Sequence, residues 1–475
     1  MSISPARTAA FDIMLRIDQQ DAYATELLHS SPYAKLSPAD HGLATELVMG
    51  VLRWQSALDT EIGRFSDKSV SKLDIEVLTA LRLAAYQLMF LDRIPGRAAV
   101  HESVELVKRA RKGSAAPFAN AVLRKLAGST IAAKADTDLA LNAALKRCST
   151  QNPAQDATPH PDYDPKIRAA GNGSAVELSQ KLAHPLWLVQ RWVQQFGLER
   201  AWQICLQDQL GSTAKIRFSD AGMEAELRRD GIDLAPGQLL ASARRVRTGN
   251  VSRTRAFAEG RVAIQDEASQ LVALLVGKGS RILDCCAAPG GKTRVLAERN
   301  PEASIVALEL HAHRARLLRK LVPATNVEVI NADVLDFAAS ATFDRVLADV
   351  PCSGTGTLAH NPEIKWRLKP QDLADLQARQ LAILRAAMQC VAPGGRLVYS
   401  TCSLEPEENE EVVERALSGE PAFSLLACRL ELEQLQAKGE LVWKDVDSLL
   451  SGRFLRSIPG VHPCDGFFVA ILQRD

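Results

Sequence analysis

From about residue 264 to the C-terminus, short aliphatic runs alternate with helix-patterned stretches, and this alternation constrains the fold more than any other feature of the chain. The runs at 281–285, 304–310, 327–330, 345–349 and 396–400 are short and almost wholly apolar, the pattern of strands buried on both faces. Strands that alternate with helices predict a parallel sheet covered on both sides, a Rossmann-like α/β domain. A late run at 466–472 adds a strand that suits an antiparallel pair at the end of such a sheet. In open α/β sheets ligands bind beyond the carboxyl ends of the strands. The residues that follow each run are therefore the first place to look for chemistry.

The first run opens into Asp284-Cys285-Cys286-Ala287-Ala288-Pro289-Gly290-Gly291-Lys292-Thr293. Glycines there let a ligand approach the backbone, and a helix starting near Lys292 offers free amides and a positive dipole end. These features suit a carboxylate, a phosphate or a ribose. The loop matches neither a dinucleotide fingerprint nor a Walker phosphate loop, and taken alone it reads equally well as a tight structural turn. The next three strands also end in acids. Glu309 is placed to accept ribose hydroxyls, Asp333 to face an adenine amine, and Asp349 ends the fourth strand. Each acid singly could be a cap or turn residue; four in succession point to a nucleotide-type pocket.

Two cysteines follow strand ends as well: Cys352 in Asp349-Val350-Pro351-Cys352-Ser353-Gly354-Thr355-Gly356 and Cys402 in Tyr399-Ser400-Thr401-Cys402-Ser403. A buried cysteine is most often a small hydrophobe, which is the reading for Cys148, Cys205, Cys390, Cys428 and Cys464, while Cys285 and Cys286 are expected to pack under the glycine loop. Two thiols on one crevice with a nucleotide-type pocket suggest covalent chemistry on a planar ring. C5 of a pyrimidine is a poor nucleophile until a thiolate adds at C6 and pushes electron density onto it; a base then removes the C5 proton and the thiolate leaves. A free thiol has a pKa of about 8.5, so the attacking sulfur needs a positive neighbour or a helix terminus. Asp349 and Lys292 are candidates for hydrogen-bonding or protonating the ring during attack. The residues alone do not say which thiol attacks and which assists release.

The first 128 residues read as helix throughout. Ser37-Pro38-Ala39-Asp40 is a helix start, with a capping hydroxyl, proline at the first position and an acid in the first turn. Residues 74–91, 99–110 and 117–127 continue the helical spacing, and Gly128 is expected to end it, giving a compact bundle. Residues 129–180 read as a linker. Residues 181–262 read as a small α/β module: two helices around Gly197, a strand at 215–218, a helix near 221–229 and an arginine-bearing strand near 244–248. Nine scattered cysteines without a paired framework fit a reduced cytoplasmic protein; no apolar run is long enough for a membrane helix, and no Cys-x-x-Cys or His-x-x-x-His pair suggests a metal. A net charge of +1 does not advertise a nucleic-acid binder, but Arg244, Arg245, Arg247, Arg253, Arg255 and Arg261, and separately Lys108, Arg109, Arg111 and Lys112, form basic clusters able to meet phosphates.

The motifs from Asp284 to Thr293 and from Asp349 to Gly356, together with Ser400-Thr401-Cys402-Ser403 followed by Glu405-Pro406-Glu407-Glu408-Asn409-Glu410, resemble the RsmB/Sun family of RNA 5-methylcytosine methyltransferases. Gln265-Asp266-Glu267-Ala268-Ser269-Gln270, Asn361-Pro362-Glu363-Ile364-Lys365-Trp366-Arg367 and Asp465-Gly466-Phe467-Phe468 are similar to the family too. The resemblance implies a class I methyltransferase domain over 263–475 and S-adenosylmethionine held by Cys286, Ala287, Ala288, Pro289, Gly290, Gly291, Lys292, Glu309, Asp333 and Asp349. It implies Cys402 as the nucleophile and Cys352 as the thiol that promotes release. Glu309 stands where the family more often has aspartate.

Ile94-Pro95, the stretch from Ala98 to Val104 and the stretch from Phe118 to Arg124 resemble a NusB-like RNA-binding domain, the layout of bacterial 16S rRNA members of the family. His184-Pro185-Leu186-Trp187-Leu188 resembles the opening of the family's middle region, but residues 211–219 depart from its usual pattern. The expected partner is 16S rRNA, free or early in assembly, with no membrane, metal or obligate protein partner. The same chemistry on tRNA or large-subunit rRNA, and a non-catalytic RNA-binding assembly factor, are the alternatives.

Overall fold

The structure is a computed structural model and describes residues 3–20, 22–133, 174–211, 213–218, 220, 222–337 and 342–475. Its contacts divide the chain into two compact units. One gathers the described residues up to 211 together with Leu358–Arg367; the other gathers Thr213–Thr357 and Leu368–Asp475. The core of the expected linker, residues 134–173, lies outside the described residues, as does Cys148. No helix among the described residues is long and apolar enough to cross a membrane.

The first unit is helical. Its main helices are α1 (Pro5–Gln20), α2 (Pro38–Phe65), α3 (Ile75–Phe90), α4 (Gly96–Arg109) and α5 (Ala116–Ala133). Helix α2 starts as the sequence dictates: the Ser37 hydroxyl accepts the Asp40 amide, and Pro38 occupies the first turn. Gly50 lets α2 approach α3, because a Cβ there would lie 2.0 Å from the Tyr86 ring, whose hydroxyl donates to Glu46 at 2.6 Å. Helix α5 runs through Gly128, which the sequence reading took as its end. One glycine costs a helix only about 1 kcal/mol, which does not stop a helix anchored just before it by buried Val122, Leu123 and Leu126.

Three further helices belong to this unit: α6 (Ala175–Lys181), α7 (Leu186–Phe196) and α8 (Leu198–Leu210), the last two hinged at Gly197 with φ +83°. The sequence reading put α6 mostly in the linker and α7 and α8 in the small α/β module. His184 ties them together: buried, it meets the Leu182 carbonyl at 2.6 Å and Asp208 at 3.2 Å.

Leu358–Arg367, which follows the Pro-Cys motif in sequence, is also part of the helical unit. Glu363 accepts the Ala24 amide at 2.8 Å. Lys365 is fully buried and donates to the carbonyls of Arg53 and Ala183 at 3.0 and 3.2 Å. The Trp366 indole donates to Leu52 O at 2.6 Å, and Arg367 donates to Ile17 O at 2.7 Å and Ala22 O at 2.5 Å. This stretch lies within the 263–475 span expected for the α/β domain, yet it packs in the helical unit.

The second unit holds two sheets. The smaller is antiparallel, in the order β2 (Asp233–Pro236), β3 (Ala243–Thr248), β1 (Lys215–Arg217), β4 (Ala263–Ile264), with α9 (Met223–Arg229) against it. Strands β2 and β4 escaped the sequence reading because they are short and take their identity from their partners. The larger sheet has the order β11-β12-β13-β9-β8-β5-β6-β7, with β10 (Phe423–Leu426) also pairing β13. Its parallel strands are β5 (Arg281–Asp284), β6 (Ser304–Leu308), β7 (Val327–Ile330), β8 (Phe343–Asp349) and β9 (Val391–Thr401); β11 (Leu450–Ser451), β12 (Phe454–Ser457) and β13 (Phe467–Arg474) complete the antiparallel end.

Side chains alternate between two cores. Ile282, Leu347 and Val398 face α10 (Glu267–Val276) and α11 (Gly291–Arg299). Leu283, Val346 and Tyr399 face Ile383 and Leu384 of α13 (Asp372–Gln389) and Val412 of α14 (Glu410–Leu417). α12 (Ala312–Leu321) follows β6. From β5 the chain proceeds to β6 and β7 on one side and to β8 and β9 on the other, so the switch of direction falls between β5 and β8. Crevices form at such points.

The Gln265-to-Gln270 motif joins the two sheets. Asp266 caps α10 through the Ala268 amide at 2.8 Å, accepts the Asp465 amide at 3.0 Å and pairs with Lys215 at 2.6 Å. Buried Glu267 accepts the amides of Gln238, Leu239 and Leu240 at 3.1, 2.7 and 2.7 Å.

Candidate active site

The two cysteine loops leave adjacent parallel strands. Asp349 at the end of β8 is in register with Ser400 of β9, so Cys352 and Cys402 emerge at the same edge. Their sulfurs lie 3.2 Å apart, and the Cys402 amide donates to the Cys352 sulfur at 3.3 Å. Both are half-buried while the residues that follow them are buried, so the thiols are what the loops present. The loops are laced by backbone: Gly356 N donates to Cys402 O at 2.9 Å, and Leu404 N to the Thr355 hydroxyl at 2.9 Å.

Lys292, in the first turn of α11, reaches Asp349 at 2.8 Å and lies 5.1 Å from the Phe467 ring centre. The other Asp349 oxygen accepts the Ser400 hydroxyl at 2.7 Å. Burial acts to lower the Lys292 ammonium; the Asp349 carboxylate and, more weakly, the Cys402 sulfur outweigh it and hold its pKa above the ordinary lysine value. The Cys352 thiol is pushed well above the ordinary range, first by its contact with Cys402, then by burial, then by the charges of Cys402 and Glu408. All four residues expected to carry the chemistry are thus brought together.

The glycine loop lies at the switch point. Gly290 has φ +116°, and a Cβ there would stand 2.7 Å from Val322 and 2.8 Å from Leu318, so no other residue fits without a shift. Asp284 is buried beneath the loop. One of its oxygens accepts the Thr293 hydroxyl at 2.8 Å and the other has no hydrogen-bond partner. Burial raises its pKa to about 7, against the opposing Thr293 bond. Glu309, also buried, uses one oxygen for the His311 amide at 2.8 Å, with Arg314 at 3.9 Å from the other. Asp333 accepts the Leu335 amide at 3.0 Å, the turn role that the sequence allowed for it. Cys285 is buried among Leu283 and Val346, and Cys286 is partly buried against the same core.

The basic clusters are largely paired. Lys108 meets Glu105, Arg109 meets Asp12, and Lys112 meets Asp74. Arg244 meets Glu224, Arg255 meets Glu259, and Arg261 meets Glu226 and Glu259. Glu105 and Glu259 lie within one helical turn or two residues of the bases they pair with, whereas Asp12, Asp74, Glu224 and Glu226 come from other segments.

Two residues escaped notice as site residues. Glu408 accepts from both cysteine loops, and Asn409 holds the Thr401 hydroxyl at 2.5 Å and the Ser403 carbonyl at 3.0 Å. Their motif was visible, but not that it folds back behind the thiols.

Residues 271–473 match the family model described as 16S rRNA methyltransferase RsmB/F, and residues 4–128 match the NusB family. The chain is 32% identical to the probable ribosomal RNA small subunit methyltransferase B of Bacillus subtilis, with all of each chain covered. It is 31% identical to ribosomal RNA small subunit methyltransferase B of Pseudomonas putida, covering 93% of this chain and 92% of that one. Among solved structures, a methyltransferase homologue from Pyrococcus horikoshii is 25% identical with a TM-score of 0.52, covering 64% of this chain and 100% of the other.

Proposed function

The chain belongs to the RsmB/F family of 16S rRNA methyltransferases, and from that footing we propose that it methylates C5 of a cytosine in 16S rRNA by way of a covalent bond between Cys402 and C6. The observation that carries this reading is the 3.2 Å approach of the Cys352 and Cys402 sulfurs at the edge of the sheet where ligands bind. A single nucleophile would need no second thiol; two-step addition and elimination gives the second one a task.

The residues around the switch point fit S-adenosylmethionine. Asp284 keeps a buried oxygen without a partner, Glu309 directly follows β6 as a buried carboxylate, and residues 286–291 present a loop backbone above α11. Residues 286–292, Glu309, Asp333 and Asp349 would hold it. When bound, it supplies the electrophilic methyl that C5 takes up.

The chain's own groups do the rest. The Cys402 sulfur forms a bond to C6 and the C5–C6 electron pair moves onto C5. Lys292 and Asp349, paired at 2.8 Å, offer a donor and an acceptor to the ring as charge develops. After alkylation the C5 proton passes to a base, the C5–C6 double bond reforms, and the bond from Cys402 to C6 breaks. Cys352 holds its proton tightly and stands 3.2 Å from the sulfur that must leave, so it is placed to donate that proton to the departing Cys402 thiolate. The target base has to leave any stack to reach these thiols. The NusB-like bundle and the arginine-bearing β3 would hold the RNA through phosphate and shape.

Cys402→Ala should abolish methyl transfer to 16S rRNA. Cys352→Ala should still transfer but accumulate a protein–RNA adduct that survives denaturing gels. A Cys352→Ala enzyme that turns over normally without the adduct would refute this division of labour. Bisulfite mapping of RNA from a deletion strain identifies the nucleotide, and a site lost from tRNA or 23S rRNA instead would move the substrate.

A further inference from the structure

Glu408 is fully buried and, among the described residues, meets no lysine, arginine or histidine. Its Oε1 accepts the Ser353 amide at 2.8 Å and the Gln380 side-chain amide at 2.8 Å. Its Oε2 accepts the Ser353 hydroxyl and, at 2.5 Å, the Ser403 hydroxyl. Four donors fill the acceptor capacity of a carboxylate. Ser353 follows Cys352 and Ser403 follows Cys402, so one side chain straps both thiol loops. Gln380 also donates to Pro351 O at 3.0 Å, and the Tyr399 hydroxyl donates to Glu408 O at 2.6 Å, which fixes the strap to α13 and β9. A buried carboxylate without a cation is an expensive arrangement to maintain for packing alone.

The groups facing Cys352 are Cys402 and Tyr399 from β9 and its loop, and Glu408 from the short helix that follows. The cation of the site, Lys292, is paired with Asp349 at 2.8 Å, and its charge responds to Cys402, whereas the carboxylate that acts on Cys352 is Glu408. The two sulfurs are therefore chemically alike but electrostatically placed apart. Building on the cytosine-C5 reading, we propose that Glu408 is a positioning residue that straps the two cysteine loops together and, by standing behind Cys352, biases ionisation of the pair towards Cys402. A carboxylate held near Cys352 opposes a second negative charge there, whereas Lys292 favours one on Cys402.

The test is the pH profile of alkylation of each cysteine in the free full-length protein, with iodoacetamide as the probe and mass spectrometry counting each site at low conversion. Neither RNA nor cofactor is needed, so the result stands apart from whether cytosine is the substrate. In the unmodified sequence Cys402 should react first, by about tenfold or more near neutral pH, the ratio for one unit of pKa separation. In Glu408→Gln, which keeps the size and removes the charge, the Cys352 profile should move to lower pH and the rate ratio should fall to within about threefold. Glu408→Asp, which keeps the charge on a shorter stem, should restore Cys402-first reactivity. The buried Cys205 and Cys428 serve as internal reporters of unfolding. Cys352 reacting first in the unmodified sequence overturns the proposal even if Glu408→Gln does not fold. Unchanged profiles in a folded Glu408→Gln overturn it equally.

Discussion

Gly356 and Gly466 meet backbone to backbone: Gly466 N donates to Gly356 O at 2.8 Å, and a Cβ added to Gly356 would lie 2.2 Å from Gly466 O. Since Gly356 also donates to Cys402 O, this contact ties the turn after β12 to both cysteine loops. Gly356→Ala should therefore cost about 2–3 kcal/mol of stability, as overpacking does, and lower activity beyond that loss because the thiols separate. Thermal denaturation and methyl-transfer rates at matched folded fraction measure the two effects. An alanine enzyme with ordinary activity and stability would show that the loops tolerate displacement.

Lys292 and Asp349 form an ion pair at 2.8 Å. Asp349→Asn removes the anion that holds the ammonium in place. Turnover should drop by about 100-fold or more, the loss of a preorganised charge worth about 3 kcal/mol. Lys292→Met should do the same and also slow alkylation of Cys402. Single-turnover transfer with saturating cofactor checks this, and a loss confined to KM would assign the pair to binding alone.

Asp284 gives a pH signature. Its folded-state pKa of about 7 lies above the ordinary value of 3.8, so the folded protein binds this proton more tightly than the unfolded chain does. The stability it contributes is complete below 3.8 and is lost as pH rises through about 7. Asp284→Asn should flatten that part of the stability profile. Denaturation midpoints between pH 5 and 8 report it, and a variant whose profile still declines in parallel would place the titration elsewhere.

The thiol pair should be oxidisable. Diamide would take two electrons and two protons from Cys352 and Cys402, forming one S–S bond and itself becoming the hydrazine. Activity should vanish and return with dithiothreitol, and peptide mapping should find this bridge ahead of any other. Oxidation confined to other cysteines would argue against free approach of the two sulfurs.

The larger sheet was legible because buried parallel strands appear as uninterrupted apolar runs. Strand β9 nevertheless starts at Val391, before the Pro393-Gly394-Gly395 stretch that reads as a turn, since pairing of Phe343 with Val391 carries it further back. Strands β10 to β12 are short elements defined by β13 and by one another, and nothing local announces them. In the site, the thiols, Lys292 and Asp349 declared themselves by following strand ends. Glu408 did not, because its partners Ser353, Gln380 and Ser403 come from three separate segments. The pairing of the basic clusters was hidden for the same reason: Arg109 and Asp12 are 97 residues apart.

The excursion of Leu358–Arg367 into the helical unit means that the NusB-like portion is not a cassette. A fragment cut anywhere between it and the rest of the chain would lack the lysine, tryptophan and arginine that donate to Arg53 O and Leu52 O of α2 and to Ile17 O of α1. Recombination could exchange such a module intact only by carrying two separated stretches of gene together, so the helical unit and the rest of the chain are constrained to travel as one.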